Sequence, residues 1–220
     1  CGILRDCPTV TTPFQDKDAL KVIKSTSRNL ILPDISKLSV IDSGISNTFI
    51  YKGEKYELGL SGEFQIENAI TAIEAIFTVG YDIPHDIIYK GMKNAFIPAR
   101  MECIKATPLI VLDGAHNPDG ATVLSDELKK YNGTVTAIIG MMKDKDSDEF
   151  LKKTLRFCKN AVAVEVAGMP RSMKVEDLKE KASKYCNSFM ANDYTTAIDK
   201  AIELASGEPV FIFGSLYLAS

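Results

Sequence analysis

Leu109-Ile-Val-Leu-Asp113-Gly114-Ala115-His116-Asn117-Pro118 is the stretch that decides the fold. Four apolar residues, the length of a short buried strand, end at an acid, and glycine then allows a tight turn. Asn117-Pro118 supplies a helix cap followed by the residue favoured at the first helical position. A strand apolar on both faces that runs into a capped helix is one unit of an α/β layer. The alternation continues to residue 220. Strands are expected at 135–139, 161–166 and 210–213, with amphipathic helices at 121–131, 148–157, 175–185 and 195–205. The reading is a Rossmann-like domain with a mostly parallel sheet covered by helices, whose ligands bind at the carboxyl ends of the strands.

Upstream the rhythm is mixed. Residues 9–12 are β-prone, 16–25 have apolar side chains at helical spacing, and 30–32 and 38–41 look like short strands. Two alternating stretches around Lys52-Gly53 predict a hairpin. From Phe64 to Val79 the spacing places Ile66, Ala69, Ile70, Ile73, Ile76 and Phe77 on one helical face, and Gly80 stops the helix. A second helix follows Pro84, near 85–94. Residues 97–100, Ile-Pro-Ala-Arg, read as a linker, since proline cannot continue a helix. The expected division is therefore 1–97 and 98–220.

With 45% hydrophobic and 25% charged residues among 220, the composition excludes disordered, collagen-like and disulfide-scaffold chains. Residues 1–98 carry 10 basic and 12 acidic side chains and the remainder 16 and 17, so neither half predicts a nucleic-acid partner. The longest apolar runs fall far short of the roughly 20 residues of a membrane span. Cys1, Cys7, Cys103, Cys158 and Cys186 are odd in number and form no Cys-x-x-Cys pair, which suits free thiols in a reducing compartment, the cytoplasm by default. The opening Cys-Gly-Ile-Leu-Arg-Asp and the closing Phe-Gly-Ser-Leu-Tyr-Leu-Ala-Ser read as cuts within a longer chain.

Asp113, His116 and a helix N-terminus converge at the ligand-binding edge of the sheet, a setting for phosphate, ribose or a carboxylate. The same residues also serve as ordinary turn caps with an exposed imidazole. Arg100, just past the linker, suits a phosphate, though an isolated arginine is commonly a surface residue. His85 reads as structural. Gln65-Ile-Glu-Asn68 opens a helix, where an amide either caps or recognises a base edge. The charged loop Gly140–Asp146 reads as solvated, and Gly214-Ser215 presents backbone N–H groups or simply turns the chain. No phosphate-binding Gly-x-x-x-x-Gly-Lys-[Ser/Thr], no Gly-x-Gly-x-x-Gly, no Gly-x-Ser-x-Gly, no His-Glu-x-x-His and no clustered Cys/His metal site occurs, which disfavours a nicotinamide dehydrogenase. A free-standing nucleotide- or anion-binding module stays open.

In combination these blocks resemble the folylpolyglutamate synthase/dihydrofolate synthase family, a branch of the Mur ligase superfamily. The resemblance is carried by Leu60-Ser-Gly-Glu-Phe-Gln-Ile-Glu-Asn68-Ala, Ile97-Pro-Ala-Arg100-Met-Glu102 and Asp113-Gly-Ala-His116-Asn-Pro118. Cys1-Gly-Ile-Leu-Arg, Pro8–Gln15, Gly140-Met-Met-Lys-Asp-Lys-Asp146, Pro170-Arg171 and Phe213-Gly-Ser-Leu-Tyr217 confirm the order. The resemblance implies an ATP- and Mg2+-dependent ligase that joins a folate or dihydropteroate carboxylate to L-glutamate through an acyl phosphate. It implies that residues 1–97 are the C-terminal part of the central ATPase domain and 98–220 the Rossmann-like C-terminal domain. The P-loop and metal ligands are then expected before Cys1, which leaves this stretch without activity by itself and with no metal ligand of its own. Carried over by position, Asn68, Arg100 and Asp113 contact the nucleotide, His116 is catalytic and substrate-binding, and Ser215 is substrate-binding. Two positions depart: the family often has His where Phe64 stands, which puts the adenine-side contacts in question, and Gly where Ala99 stands. A cell-wall Mur ligase is the alternative within the superfamily, disfavoured by the residues at 113–118.

Overall fold

The structure, a computed structural model, describes residues 7–218; the Cys1-Gly-Ile-Leu-Arg block lies outside the described residues. The chain divides into two compact units, Cys1–Phe96 and Ile97–Ser220.

In the first unit β1 (Thr9–Val10) and β2 (Leu30–Ile31) form a two-stranded parallel pair joined by α1 (Lys17–Thr26), whose N-cap Asp16 accepts from the backbone N–H groups of Asp18 and Ala19. An antiparallel meander follows, β3 (Leu38–Asp42), β4 (Asn47–Tyr51) and β5 (Glu54–Leu58). Lys52 and Gly53, with φ of 51° and 87°, make the left-handed two-residue turn whose twist matches the strands it joins. Alternation along β4 and β5 turns Phe49, Tyr51, Tyr56 and Leu58 inward, against Ile66, Ile70 and Ile73 of α2 (Phe64–Val79) and Ile88 of α3 (His85–Lys93). Each such side chain contributes roughly 1.5–3 kcal/mol by burial. Gly80, at φ 80°, ends α2 in the left-handed cap that glycine alone adopts without cost. Phe77, expected on the buried face, is 48% exposed and instead lies 5.7 Å from the Lys52 ammonium, while Ile76 packs at the edge of the core.

The second unit is built on a six-stranded sheet: β6 (Glu102–Ala106), β7 (Leu109–Leu112), β8 (Val135–Ile139), β9 (Cys158–Ala163), β10 (Asn187–Met190) and β11 (Val210–Phe213), in spatial order β10-β9-β8-β11-β7-β6. Every pairing is parallel except β6 with β7. The crossovers are α4 (Pro118–Lys129), α5 (Ser147–Thr154), α6 (Val175–Ala182) and α7 (Tyr194–Ala205). Alternation separates the two faces. Phe211 and Phe213 meet Tyr131 and Phe150 on one side, with ring centroids 5.3 and 6.0 Å apart. Ile110, Ile138, Val162 and Val210 pack with Ala197, Ala201 and Ala205 of α7 on the other. The path runs outward from β7 through β8 and β9 to β10, then returns through α7 to insert β11 between β8 and β7. That reversal opens a crevice at the carboxyl ends of the central strands.

Two strands, β6 and β10, have no counterpart in the expected elements, and β9 begins three residues before the expected 161. No helix among the described residues is long and apolar enough to cross a membrane.

Candidate functional site

Asp113 follows the last residue of β7, where its N–H continues the ladder to Ile212 of β11 at 2.9 Å. Only 6% exposed, it uses both carboxylate oxygens: Oδ1 accepts from Ala115 N at 2.8 Å and Oδ2 from Met101 N at 2.9 Å. Burial raises its pKa from the ordinary aspartate value, against the opposing pull of those two N–H groups and the Arg100 charge. Each oxygen retains acceptor capacity for a further donor. Gly114 donates to Ala99 O at 2.7 Å, and a Cβ there would come within 3.2 Å of the same carbonyl.

His116 turns its Nδ1 to Gly114 O, 2.8 Å away. A carbonyl only accepts, so Nδ1 carries the proton and Nε2 is the nitrogen left to meet a ligand. Asn117 then caps α4 through Gly120 N at 2.8 Å, with Pro118 as the first helical residue.

Three other loops reach the same sheet edge. Gly214, after β11, has φ 108° and donates to Ala115 O at 2.9 Å, and a Cβ there would lie 2.7 Å from Gly140 O. Backbone approaches backbone so closely that only glycine fits. Ser215 is 3% exposed and its Oγ accepts from Tyr217 N at 3.2 Å. Between these loops lies a cavity of about 480 Å³ where His116, Ser215, Lys145 and Arg171 meet Met142 and Leu216. Arg171 is held by Asp144 at 3.0 Å, and its carbonyl accepts from Lys143 N at 2.9 Å, which ties the loop after β9 to the loop after β8. An imidazole, an ammonium and a guanidinium around one cavity suit an anionic ligand, and the forked guanidinium suits a carboxylate or phosphate in particular.

Of the five residues singled out in the sequence, Asp113, His116 and Ser215 gather at this edge, with Arg100 one residue from the Met101 N–H that Asp113 holds. Asn68 belongs to the first unit, exposed at the fifth position of α2, where its Nδ2 donates to Oε1 of buried Gln65 at 2.9 Å. The turn before that helix is pinned by buried Asn47, whose Nδ2 donates to Leu60 O at 2.7 Å and Gly62 O at 2.9 Å. Lys145 and Arg171 are the residues that sequence reasoning left in a solvated loop and an order-confirming block. Their available signal was position, since both loops follow parallel strands.

Residues 100–220 match the family described as "Dihydrofolate synthetase, C-terminal domain". The chain belongs to the folylpolyglutamate synthase/dihydrofolate synthase family. Among curated members of the family, the folylpolyglutamate synthase of Lacticaseibacillus casei is 32% identical over 74% of this chain and 39% of its own length. The dihydrofolate synthase/folylpolyglutamate synthase of Bacillus subtilis (strain 168) is 27% identical over 100% of this chain and 55% of its own. The solved structure of Mycobacterium tuberculosis folylpolyglutamate synthase complexed with ADP is similar with a TM-score of 0.74 at 25% identity, over 93% of this chain and 52% of that one. The chain thus spans roughly half the length of the family members it matches.

Proposed function

We propose that this chain is part of an ATP-dependent ligase that activates a folate or dihydropteroate carboxylate as an acyl phosphate and joins it to L-glutamate. The observation that carries the reading is the cavity at the carboxyl edge of the parallel sheet, lined by His116, Lys145, Arg171 and Ser215, in a chain of this family. Glutamate brings two carboxylates and an amine, which calls for cations at one end and a proton acceptor at the other. On this reading Arg171 and Lys145 take its carboxylates and Ser215 adds a polar contact. His116, with Nδ1–H committed to Gly114 O, offers Nε2 to the amine proton. In the activating step a carboxylate oxygen bonds to the γ-phosphorus of ATP and ADP leaves. In the second step the amine nitrogen bonds to the acyl carbon and phosphate leaves.

Asp113, Arg100 and Asn68 are the nucleotide contacts on this reading, and the two units are the C-terminal part of the central ATP-binding domain and the C-terminal domain. Mg2+ would shield the phosphates. Among the described residues no three His, Cys, Asp or Glu side chains gather to hold a metal. The free thiols of Cys7, Cys103, Cys158 and Cys186 suit the cytoplasm.

The test is transfer of labelled L-glutamate onto a folate by the protein expressed from the complete gene, with ATP and magnesium. Folate-dependent ADP release and labelled product are expected, with Arg171→Ala raising the KM for glutamate roughly tenfold or more. A protein that releases no ADP in response to folate and glutamate does not have this function.

A further inference from the structure

The backbone on both sides of Arg100 is left-handed, with φ of 53° at Ala99 and 50° at Met101. A Cβ makes that region unfavourable. Both neighbours are nonetheless buried, 5% and 1% exposed, while Arg100 between them is exposed. Three hydrogen bonds maintain the shape. Ala99 N donates to Glu102 Oε2 at 2.9 Å, Gly114 N to Ala99 O at 2.7 Å, and Met101 N to Asp113 Oδ2 at 2.9 Å. Backbone held so far from its preferred geometry persists only where its surroundings over-determine it, and such places collect at ligand clamps. Here the loop presents a single guanidinium.

We propose that Glu102, the first residue of β6, is a positioning residue for Arg100: by accepting the Ala99 N–H it sets the direction from which the guanidinium meets the triphosphate. The inference rests on Arg100 being a nucleotide contact, as proposed above. What Glu102 must supply is an acceptor oxygen at the reach of two methylenes, and its charge is incidental. Glutamine offers the same oxygen at the same reach. Aspartate keeps the charge but falls short by roughly the length of one carbon–carbon bond, ~1.5 Å. A role based on charge would reverse the order of those two variants.

The experiment measures the affinity of the protein from the complete gene for the non-hydrolysable ATP analogue AMPPCP with magnesium, by calorimetry, alongside each variant's thermal midpoint. Arg100→Ala should weaken binding about tenfold or more. Glu102→Asp should weaken it roughly three- to tenfold and Glu102→Gln less than about twofold. Glu102→Ala removes the same acceptor by another route and should match the aspartate variant. In an Arg100→Ala background Glu102→Asp should add less than about twofold, because the two residues act as one. A merely structural Glu102 would lower the midpoint and leave the affinity of the folded protein alone. Three results overturn the positioning role while leaving Arg100 as a nucleotide contact: silence of Glu102→Asp and Glu102→Ala, a loss in the glutamine variant larger than in the aspartate one, or a full effect without Arg100. Silence of Arg100→Ala removes the nucleotide reading of Arg100, and this inference with it.

Discussion

Ala99 carries a methyl group at a place where the backbone favours none. Its φ of 53° lies in the left-handed region, which costs an L-residue roughly 1–2 kcal/mol and glycine almost nothing. Glycine would loosen the unfolded chain by about 0.4–1 kcal/mol, so the two effects partly offset. Ala99→Gly is therefore expected to stabilise the protein by about 0.5–1 kcal/mol, a rise of about 2 °C in thermal midpoint for a chain of this size. Differential scanning calorimetry checks it, and an unchanged or lowered midpoint contradicts the strain. At this scale legibility follows chemistry. Asp113 and His116 stood out because they follow a buried strand directly and precede an Asn-Pro cap. The strain at Met101 was invisible, since methionine does not announce a positive φ, and at Ala99 the one hint was the glycine that the resembled family often has there. Lys145 and Arg171 look like any charged loop residue until the folded loops bring them beside His116.

Helix α2 is joined to the meander by a buried polar cluster as well as by its apolar face. The Tyr51 hydroxyl donates to Glu74 Oε1 at 2.5 Å and accepts from Asp34 N at 3.0 Å, and the Lys52 ammonium meets the same Glu74 oxygen. Tyr51 is 1% exposed, and burial together with the bond to Glu74 raises its pKa well above the ordinary phenol value. Tyr51→Phe keeps the ring and leaves a buried carboxylate short of one donor and Asp34 N without its acceptor, a loss of about 1–3 kcal/mol. Urea unfolding should show a lower midpoint at unchanged slope; an unchanged midpoint would mean the cluster does not hold these elements together. Elements were legible where one face is fully dry. The apolar spacing of α2, ended by Gly80, and the apolar runs of β7, β8 and β11 leave little choice of structure. The edge strands β6 and β10 were not legible, because polar residues that are exposed (Lys105, Asn187) or half-buried (Glu102, Ser188) interrupt any apolar run. The start of β9 was hidden in the same way: Asn160 looks like a loop residue, yet its Nδ2 donates to Thr136 Oγ1 of the neighbouring strand at 3.1 Å.

Across the whole chain, burial is distributed unevenly, and stability should follow it. All five residues of β8 are buried, β11 has three buried out of four, and both lie in the middle of the parallel sheet between α7 and the helices of the other face. By contrast α1 contains no buried residue, and the β1–β2 pair is half-exposed along both strands. A parallel pair is ordinarily covered on both faces, so these short ladders have little apolar contact to hold them closed. Opening of α1, β1 and β2 should therefore cost only a small part of the global unfolding free energy, whereas the amides of β8 and β11 exchange only when the second unit unfolds as a whole. Hydrogen exchange read by mass spectrometry on the 220-residue chain should find peptides over Lys17–Thr26 and Leu30–Ile31 exchanging roughly a hundredfold or more faster than those over Val135–Ile139 and Val210–Phe213. Equal protection of the two sets would mean that α1 and its strand pair are held by contacts that burial does not reveal. In the protein expressed from the complete gene, adding AMPPCP should slow exchange in the loop carrying Arg100, the proposed nucleotide contact.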